Sequence, residues 1–459
     1  MVVRLLPKQE TRVRFSYPAQ VKILMGPTRP VAKRSLCCRG SHHPLNMKYL
    51  SSLKIKNLSG KICLLRADFN IEDTDLRGYE HGLTRINTVH PRIAAVLPAI
   101  NFLTKKGAKI VILSHRGRPN LKTYNLKLKT YTLKPFAAIL SKLLKKPVAF
   151  IKFNTINNLL TSDVNRLDLL KSKTRIFLLE NLRFNPGEDK NDLKFAKKLA
   201  SLGDFYVNEA FAFCHRPTAS IMGISKLLPS YAGFSLEKEI KNLSKVMTGP
   251  KKPFIVILGG VKVADKIGLI NNFWGKADKF LIGGGIANTF LAARGKQIGN
   301  SVYEKDKIVF ARKLLKSPKI ILPVDVIIKN DSILDIGVKT RKNYAEIIKK
   351  AKTIIWNGPM GYIEDKKFKK GSEAILKAIL ESKAFSVIGG GETVALLRAQ
   401  NSKFKIPRSR TSNKFLRNYT GQASSLRGRQ NSKLFISTGG GAMLEFLAGK
   451  KLPGLSALE

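Results

Sequence analysis

Two lysines set four residues apart behind a pair of glycines make residues 254–266, FIVILGGVKVADK, the most chemically loaded stretch of the chain. A helix beginning here would carry the Lys262 and Lys266 ammonium groups on one face, where they could meet a phosphate or carboxylate. The apolar run ahead of them, residues 254–258, has the composition of a strand buried on both faces. Gly259 and Gly260 stop that strand. A strand opening through glycines into a helix start turns backbone N–H groups toward an anion. The pattern recurs: residues 280–285 read FLIGGG, 385–391 FSVIGGG and 434–441 LFISTGGG, with Glu392 and Thr393 directly after the third unit. No GxxxxGK[ST] occurs, which excludes a Walker-type loop.

The N-terminal half supplies cations. Arg66, Arg92, Arg118, Arg183 and Arg216, with His115, fall mostly at the ends of apolar runs or in the loops just after them. A guanidinium is a planar fork that matches carboxylate and phosphate oxygens. Six basic groups converging on one sheet edge would bind a small, highly charged anion.

The elements that must position these groups read as follows. KICLLRADFN, from Lys61, is a buried-type strand ending in Arg66, Asp68 and Asn70. A helix follows from about Pro91, with proline at its first position and Ile93, Val96, Leu97, Ile100 and Leu103 on one face. AKIVIL (108–113), RIFLLE (175–180) and DFYV (204–207) are further strands. ILPVD (321–325) and AKTIIWNGPMGYIE (351–364) complete the C-terminal half, with a turn at Trp356-Asn357-Gly358-Pro359. Strands alternating with helices predict an α/β protein with parallel sheets. YAGFSLEKEIKNLSK (231–245) is the helix connecting the two halves.

The 459 residues allow two domains with sizeable cores. With 44% hydrophobic residues and a mean hydropathy of −0.10, the composition is that of a globular protein, and no apolar run approaches the roughly 20 residues a bilayer requires. Cys37, Cys38, Cys63 and Cys214 form no CxxC pair or framework, which suits a reducing compartment. The formal charge of +52 raises nucleic acid or another polyanion as a partner. Part of it is localised. Residues 1–46 carry nine Lys/Arg against one acid, and 398–433 carry ten against none.

In order along the chain, RADFN, RIAAVLPAI, SHRGRP, ENLRF, FYVNEAF, HRPTAS, AGFSLEKEI, ILGGVKVADKI, IGGGIANTF, LPVD, WNGPMG, IGGGET and STGGGA closely resemble phosphoglycerate kinase. The resemblance covers about residues 47–459. It implies two Rossmann-like lobes, each a parallel sheet flanked by helices, joined by an interdomain helix with a hinge. It also implies reversible phosphoryl transfer from 1,3-bisphosphoglycerate to ADP, giving 3-phosphoglycerate and ATP in glycolysis. By that similarity Asp68, Asn70, Arg92, His115, Arg118, Arg183 and Arg216 hold the triose. Lys262, Arg92, Gly439 and Gly440 act on the migrating phosphoryl group. Lys262, Lys266, Gly283, Gly284, Asn357, Pro359, Glu364, Gly390, Gly391, Glu392 and Thr393 hold the nucleotide, and Glu392 the Mg2+ ion. The implied partners are these small molecules alone, in a cytoplasmic monomer without membrane contact or specific nucleic acid.

The implied domains are an N-terminal triose lobe over 47–234, a connecting helix over 235–248 and a nucleotide lobe over 249–445, with 446–459 packing back on the first lobe. Residues 1–46 lack helix or strand periodicity and read as a disordered extension, with Met47 as the functional start. Residues 398–434 read as a basic surface insertion. Several positions depart from the family pattern. Glu392 and Glu209 stand where aspartate is usual, Arg116 replaces an apolar residue, and Ala212 and Phe213 replace smaller ones. Ile333 sits where a glycine often lines the adenosine. A polyanion-binding or inactive homologue on the same scaffold is the alternative reading; the intact Lys262, Arg118, Arg183 and Arg216 set favours catalysis.

Overall fold

The computed structural model describes residues 47–54, 57–71, 89–119, 130–153, 165–401 and 433–459, the last five residues of the helix ending at Asn401 by backbone only. The extension over 1–46 and most of the basic insertion lie outside the described residues.

Two six-stranded, all-parallel sheets form the frame. The first comprises β1 (Ile62–Arg66), β2 (Lys109–Leu113), β3 (Val148–Ile151), β4 (Ile176–Leu179), β5 (Phe205–Asn208) and β6 (Ser230–Ala232), in the order β3-β4-β2-β1-β5-β6. The second comprises β7 (Phe254–Leu258), β8 (Lys279–Ile282), β9 (Ile320–Ile321), β12 (Thr353–Asn357), β13 (Phe385–Gly389) and β14 (Leu434–Ile436), in the order β14-β13-β12-β7-β8-β9. A separate antiparallel hairpin joins β10 (Val326–Lys329) to β11 (Ser332–Ile336). In each sheet the strand order reverses beside a central strand, β1 or β7, and open α/β sheets bind ligands at such a switch point.

Burial explains why these strands form. Every residue of β1, β7 and β12 is buried, as expected of central parallel strands covered on both faces. Along β1 the side chains alternate: Ile62 and Leu64 enter one apolar cluster, Cys63 and Leu65 the other. Each such aliphatic is worth about 1.5–3 kcal/mol on burial. Register then levels the strand ends. Arg66 lies beside Leu113 and Asn208, and Asn357 beside Leu258 and Gly389, so the loops that follow open at one height.

The connecting helix spans Phe234–Thr248, one residue earlier than expected. The helix from Pro91 runs to Lys105 and buries Ile93, Val96, Ile100 and Leu103 as its spacing predicts, with Leu97 partly buried. Three elements were not expected: β3, β6 and the β10–β11 hairpin. β3 is an edge strand only half-buried over Val148–Phe150, so it carries little apolar signal. The hairpin turns through Asn330 and Asp331, both at positive φ (48° and 56°), a turn type that suits Asn and Asp. After β7 the helix begins at Ile267, behind a tight turn over Ala264–Lys266. Lys262 therefore precedes the helix, and the two lysines do not share a helical face.

Candidate active site

Asp68, Asn70, Arg92, His115, Arg118, Arg183 and Arg216 line a single cavity at the carboxyl ends of the first sheet's strands. Arg92 opens the helix beginning at Pro91, and its Nη1 donates to Asp68 Oδ1 (3.1 Å) and to the Asn70 carbonyl (2.7 Å). Asn70 Oδ1 accepts from Gly117 N–H at 2.8 Å, tying the loop after β1 to the loop after β2. Arg183 donates through Nη1 to the Gly117 carbonyl (2.6 Å) and through Nε to Asp189 (3.2 Å). Carboxylate and carbonyl partners thus fix where these guanidinium forks point.

Arg66 does not join them as a ligand-facing cation. It is 0% exposed, donates to Ser220 Oγ at 2.8 Å and lies 3.9 Å from the Glu188 carboxylate. Its position inside the sheet end, rather than in the loop beyond, explains the difference. From there Arg66 Nη2 reaches His115 Nδ1 at 3.0 Å. A guanidinium can only donate, so Nδ1 accepts and the neutral ring carries its proton on Nε2. Burial, with Arg66, Arg183, Arg92 and Arg216 nearby, holds His115 well below its usual pKa and keeps it neutral.

Across from this cavity, Lys262, Lys266, Asn357, Gly390, Gly391, Glu392, Thr393 and Gly440 line a second one at the ends of β7, β12 and β13. Gly284, Pro359, Glu364 and Glu392 line an adjoining, more apolar cavity together with Ile333, Val302 and Tyr362. Gly283 and Gly439 line none of these cavities. A Cβ at Gly283 would lie 2.5 Å from Met360 Sδ, and one at Gly439 would lie 2.5 Å from the Phe211 ring, so both glycines serve packing.

The first glycine pair also works differently from expectation. Gly259 N–H donates to the Asn357 carbonyl and Gly260 N–H to the Pro359 carbonyl, at 2.9 and 2.8 Å. Gly284 N–H goes to the Met360 carbonyl at 2.9 Å. These amides bind the loops to one another and are not offered to an anion. A Cβ at Gly259 would stand 2.1 Å from the Pro359 oxygen, which is why glycine is required there. Donors that do remain include the first-turn N–H groups of the helix from Gly391 and the Asn357 side-chain amide. That amide Nδ2 is buried with no hydrogen-bond partner, although Asn357 borders the cavity. An unmet donor there is a standing cost that an anionic ligand would relieve. Lys266 is buried, which lowers its pKa, while Asp265 and Glu392 oppose that shift. Thr393 Oγ1 accepts from Gly358 N–H at 3.0 Å and so ties the turn after β12 to the third glycine unit.

No group of three or more His, Cys, Asp or Glu side chains suited to a metal occurs among the described residues. Glu392, exposed beside the glycine-walled cavity, is a single carboxylate, and that suffices for magnesium, which is commonly held by one or two carboxylates plus substrate phosphates.

The two sides meet. Asn70, Ile71, His90 and Arg92 from the first sheet's loops line one cavity with Gly390, Gly391, Ser437, Thr438 and Gly440 from the second's. Twin parallel sheets opening onto a shared cleft, cationic on one side and glycine-walled on the other, define an α/β phosphotransferase. A family model for phosphoglycerate kinase matches residues 53–450, and the chain belongs to that family. It is 38% identical over 425 residues to the phosphoglycerate kinase of Herpetosiphon aurantiacus, covering 87% of this chain and 97% of that one. To that of Dictyoglomus turgidum it is 38% identical over 437 residues, covering 90% and 99%. Among solved structures, phosphoglycerate kinase from Coxiella burnetii superposes with a TM-score of 0.67 at 33% identity, covering 90% of this chain and 98% of that one. The Pyrococcus horikoshii enzyme gives 0.67 at 32%, with the same coverage.

Sequence reasoning missed Tyr131 and the role of Glu209. Tyr131 lines the basic cavity and packs where a Cβ on Gly117 would sit 2.2 Å away. Glu209 accepts from Phe234 and Ser235 N–H at 2.8 and 2.7 Å, capping the connecting helix, and burial raises its pKa to about 8. The signal was present: a carboxylate after a strand, 25 residues ahead of a helix that begins with Gly-Phe-Ser and no capping side chain of its own.

Proposed function

We propose that this chain catalyses reversible phosphoryl transfer from the acyl phosphate of 1,3-bisphosphoglycerate to ADP, yielding 3-phosphoglycerate and ATP, as a glycolytic enzyme. The observation that carries the reading is the cavity lined by Asn70 and Arg92 on one side and by Gly391, Thr438 and Gly440 on the other. It joins a cationic half-site to a glycine-walled half-site, and in-line transfer between two bound anions requires such a junction.

In this reading Arg118, Arg183 and Arg216 hold the triose carboxylate and phosphate, and the His115 Nε2–H donates without adding charge. Asp68 and Asn70 set the Arg92 fork at the mouth of the cleft. Lys266 and the Asn357 amide hold nucleotide phosphates, while Pro359, Glu364 and Ile333 border the nucleoside. Lys262 is exposed at the loop after β7, where its ammonium can meet charge developing on the transferred group. Glu392 would hold a magnesium ion with the nucleotide's own oxygens, and the ion would supply charge neutralisation on the phosphates. Transfer of this kind needs alignment and electrostatics rather than a covalent intermediate. The division into a triose lobe over 47–234, a connecting helix over 235–248 and a nucleotide lobe over 249–445, closing about a hinge, belongs to the same reading. It is supported by the return of residues 453–456 to the first lobe, where Gly454 N–H donates to the Cys214 carbonyl at 2.8 Å. A cytoplasmic monomer fits a reaction between small cytosolic metabolites.

The test is a coupled assay with ATP, 3-phosphoglycerate and Mg2+, read as product-dependent NADH oxidation. Turnover that needs both substrates and the metal is expected. Absence of turnover above background would overturn the assignment.

A further inference from the structure

Phe213 occupies an unusual place for an apolar ring. It is 5% exposed and sits within the cationic cavity, with its centroid 5.0 Å from the Arg66 guanidinium, 5.2 Å from that of Arg183 and 5.8 Å from that of Arg216. The His115 ring packs against it at 4.1 Å between centroids, tilted by 31°. One benzene ring therefore touches three arginines and the histidine of the same site.

We propose that Phe213 is a positioning residue of the triose half-site, orienting the Arg216 guanidinium without neutralising it and packing against that of Arg183. The inference rests on the assignment of that cavity to the triose and deepens it. A carboxylate partner holds a guanidinium in place but cancels the charge that must meet the ligand. An aromatic face attracts a cation through its quadrupole and leaves the net charge intact. The contrast is visible within the site. Arg92 is held by Asp68 at 3.1 Å and Arg183 by Asp189 at 3.2 Å. Arg216 forms no ion pair among the described residues: it donates to His215 Nε2 at 3.3 Å and lies over the Phe213 ring, with Asp189 acting on it only from a distance. The ring also spaces the cations. Arg66, Arg183 and Arg216 all repel a proton on His115, whose ring packs on the Phe213 ring that lies among them. It thereby helps fix the Arg183 and Arg216 forks before the anion arrives, which lowers the ordering cost of binding.

The experiment compares the wild-type chain with Phe213→Leu, Phe213→Tyr and a chain carrying 3,4,5-trifluorophenylalanine at position 213. The fluorinated ring keeps shape and apolarity but weakens the quadrupole, so it remains informative should the leucine variant fail to fold. KM for 3-phosphoglycerate is expected to rise about fivefold or more in the leucine and trifluoro chains. KM for ATP should stay within a factor of about two, and tyrosine should restore the wild-type value. Calorimetric Kd for inorganic phosphate should move in parallel. Wild-type KM in the trifluoro chain, or equal losses for both substrates, would overturn the positioning role while leaving the reaction assignment standing. Should the wild-type chain not turn over, the assignment falls, and the ratio of phosphate Kd values still decides what the ring does.

Discussion

Glu239, on the connecting helix, accepts hydrogen bonds from Thr438 N–H at 2.7 Å and from the Thr438 hydroxyl at 3.0 Å, while its second oxygen accepts from Ser437 Oγ at 2.8 Å. Residues 199 apart in sequence are thus joined where the loop after β14 begins. Gly440, two residues on, lines both the glycine-walled cavity and the cleft. The helix between the sheets is therefore wired directly into the glycine loop of the second.

Burial raises the Glu239 pKa to about 7 against its hydrogen bonds, which act to lower it. The folded protein then holds a proton that the unfolded chain, near 4.5, has released. Stability should accordingly fall as pH rises between about 4.5 and 7. At about 1.4 kcal/mol per pKa unit the whole effect is roughly 3 kcal/mol at most. Glu239→Gln keeps an acceptor for Thr438 and should make the pH dependence shallower, leaving the same-signed contribution of buried Glu209. Urea midpoints at pH 5 and pH 7.5 measure it, and an unchanged slope in the variant would exclude Glu239 as the source.

Lys262→Ala should abolish most turnover with little effect on the fold. The side chain is exposed and precedes the helix, so its loss removes no packing. Removing one donor aimed at a developing charge costs about 2–4 kcal/mol of barrier. The kcat should drop by two to three orders of magnitude at unchanged Tm; turnover within about tenfold of wild type would refute the role.

Arg216→Ala and Arg118→Ala should weaken 3-phosphoglycerate while sparing the nucleotide. Both side chains line the cationic cavity and neither lines the glycine-walled one. Calorimetry with each ligand separately gives the answer. Equal loss of both affinities would break the division of the two half-sites.

Gly259→Ala tests the loop packing. A methyl group there would sit 2.1 Å from the Pro359 oxygen and 2.6 Å from the Gly358 oxygen, both backbone atoms that cannot rotate away. A loss of about 1–3 kcal/mol or more is expected from such overpacking, read as a lowered Tm together with weakened ATP binding. A variant as stable as wild type would show that the loops can part.

For the metal, Glu392→Gln should raise the Mg2+ concentration needed for half-maximal ATP binding, while Glu392→Asp should not. The carboxylate is exposed and makes no salt bridge among the described residues, so the fold loses only a first-turn acid, worth about 0.3–1 kcal/mol. Nucleotide Kd measured across a Mg2+ titration separates the two variants.

Much of this was legible in the residues themselves. Continuous apolar runs such as 254–258 announced the central strands, because a strand covered on both faces has no polar positions to confuse the period. The seven residues expected around the triose line one cavity: six follow strands whose parallel register levels the loops, and Arg92 comes from the first turn of the helix from Pro91. Edge strand β3 and short β6 escaped for the opposite reason: half-exposed or three residues long, they leave no distinct pattern. Arg66 was misjudged because position after a strand does not say which way a side chain points. The destination of the Gly259 and Gly260 amides was likewise invisible, since it depends on the turn after β12, nearly a hundred residues away.

That mutual packing bears on how such a site can change over generations. Gly259 packs on the Gly358 and Pro359 backbone and Gly284 on that of Gly260 and Pro359, so this part of the wall is main chain, and a Cβ on Gly259, Gly284 or Gly358 would meet backbone within 2.8 Å. Such a wall offers natural selection few substituents to exchange, so change beside it must come through neighbouring side chains such as Lys266 and Asn357. The adjoining cavity is bordered by side chains instead, among them Ile333, Val302 and Tyr362, and a lineage can exchange these without disturbing the main-chain wall.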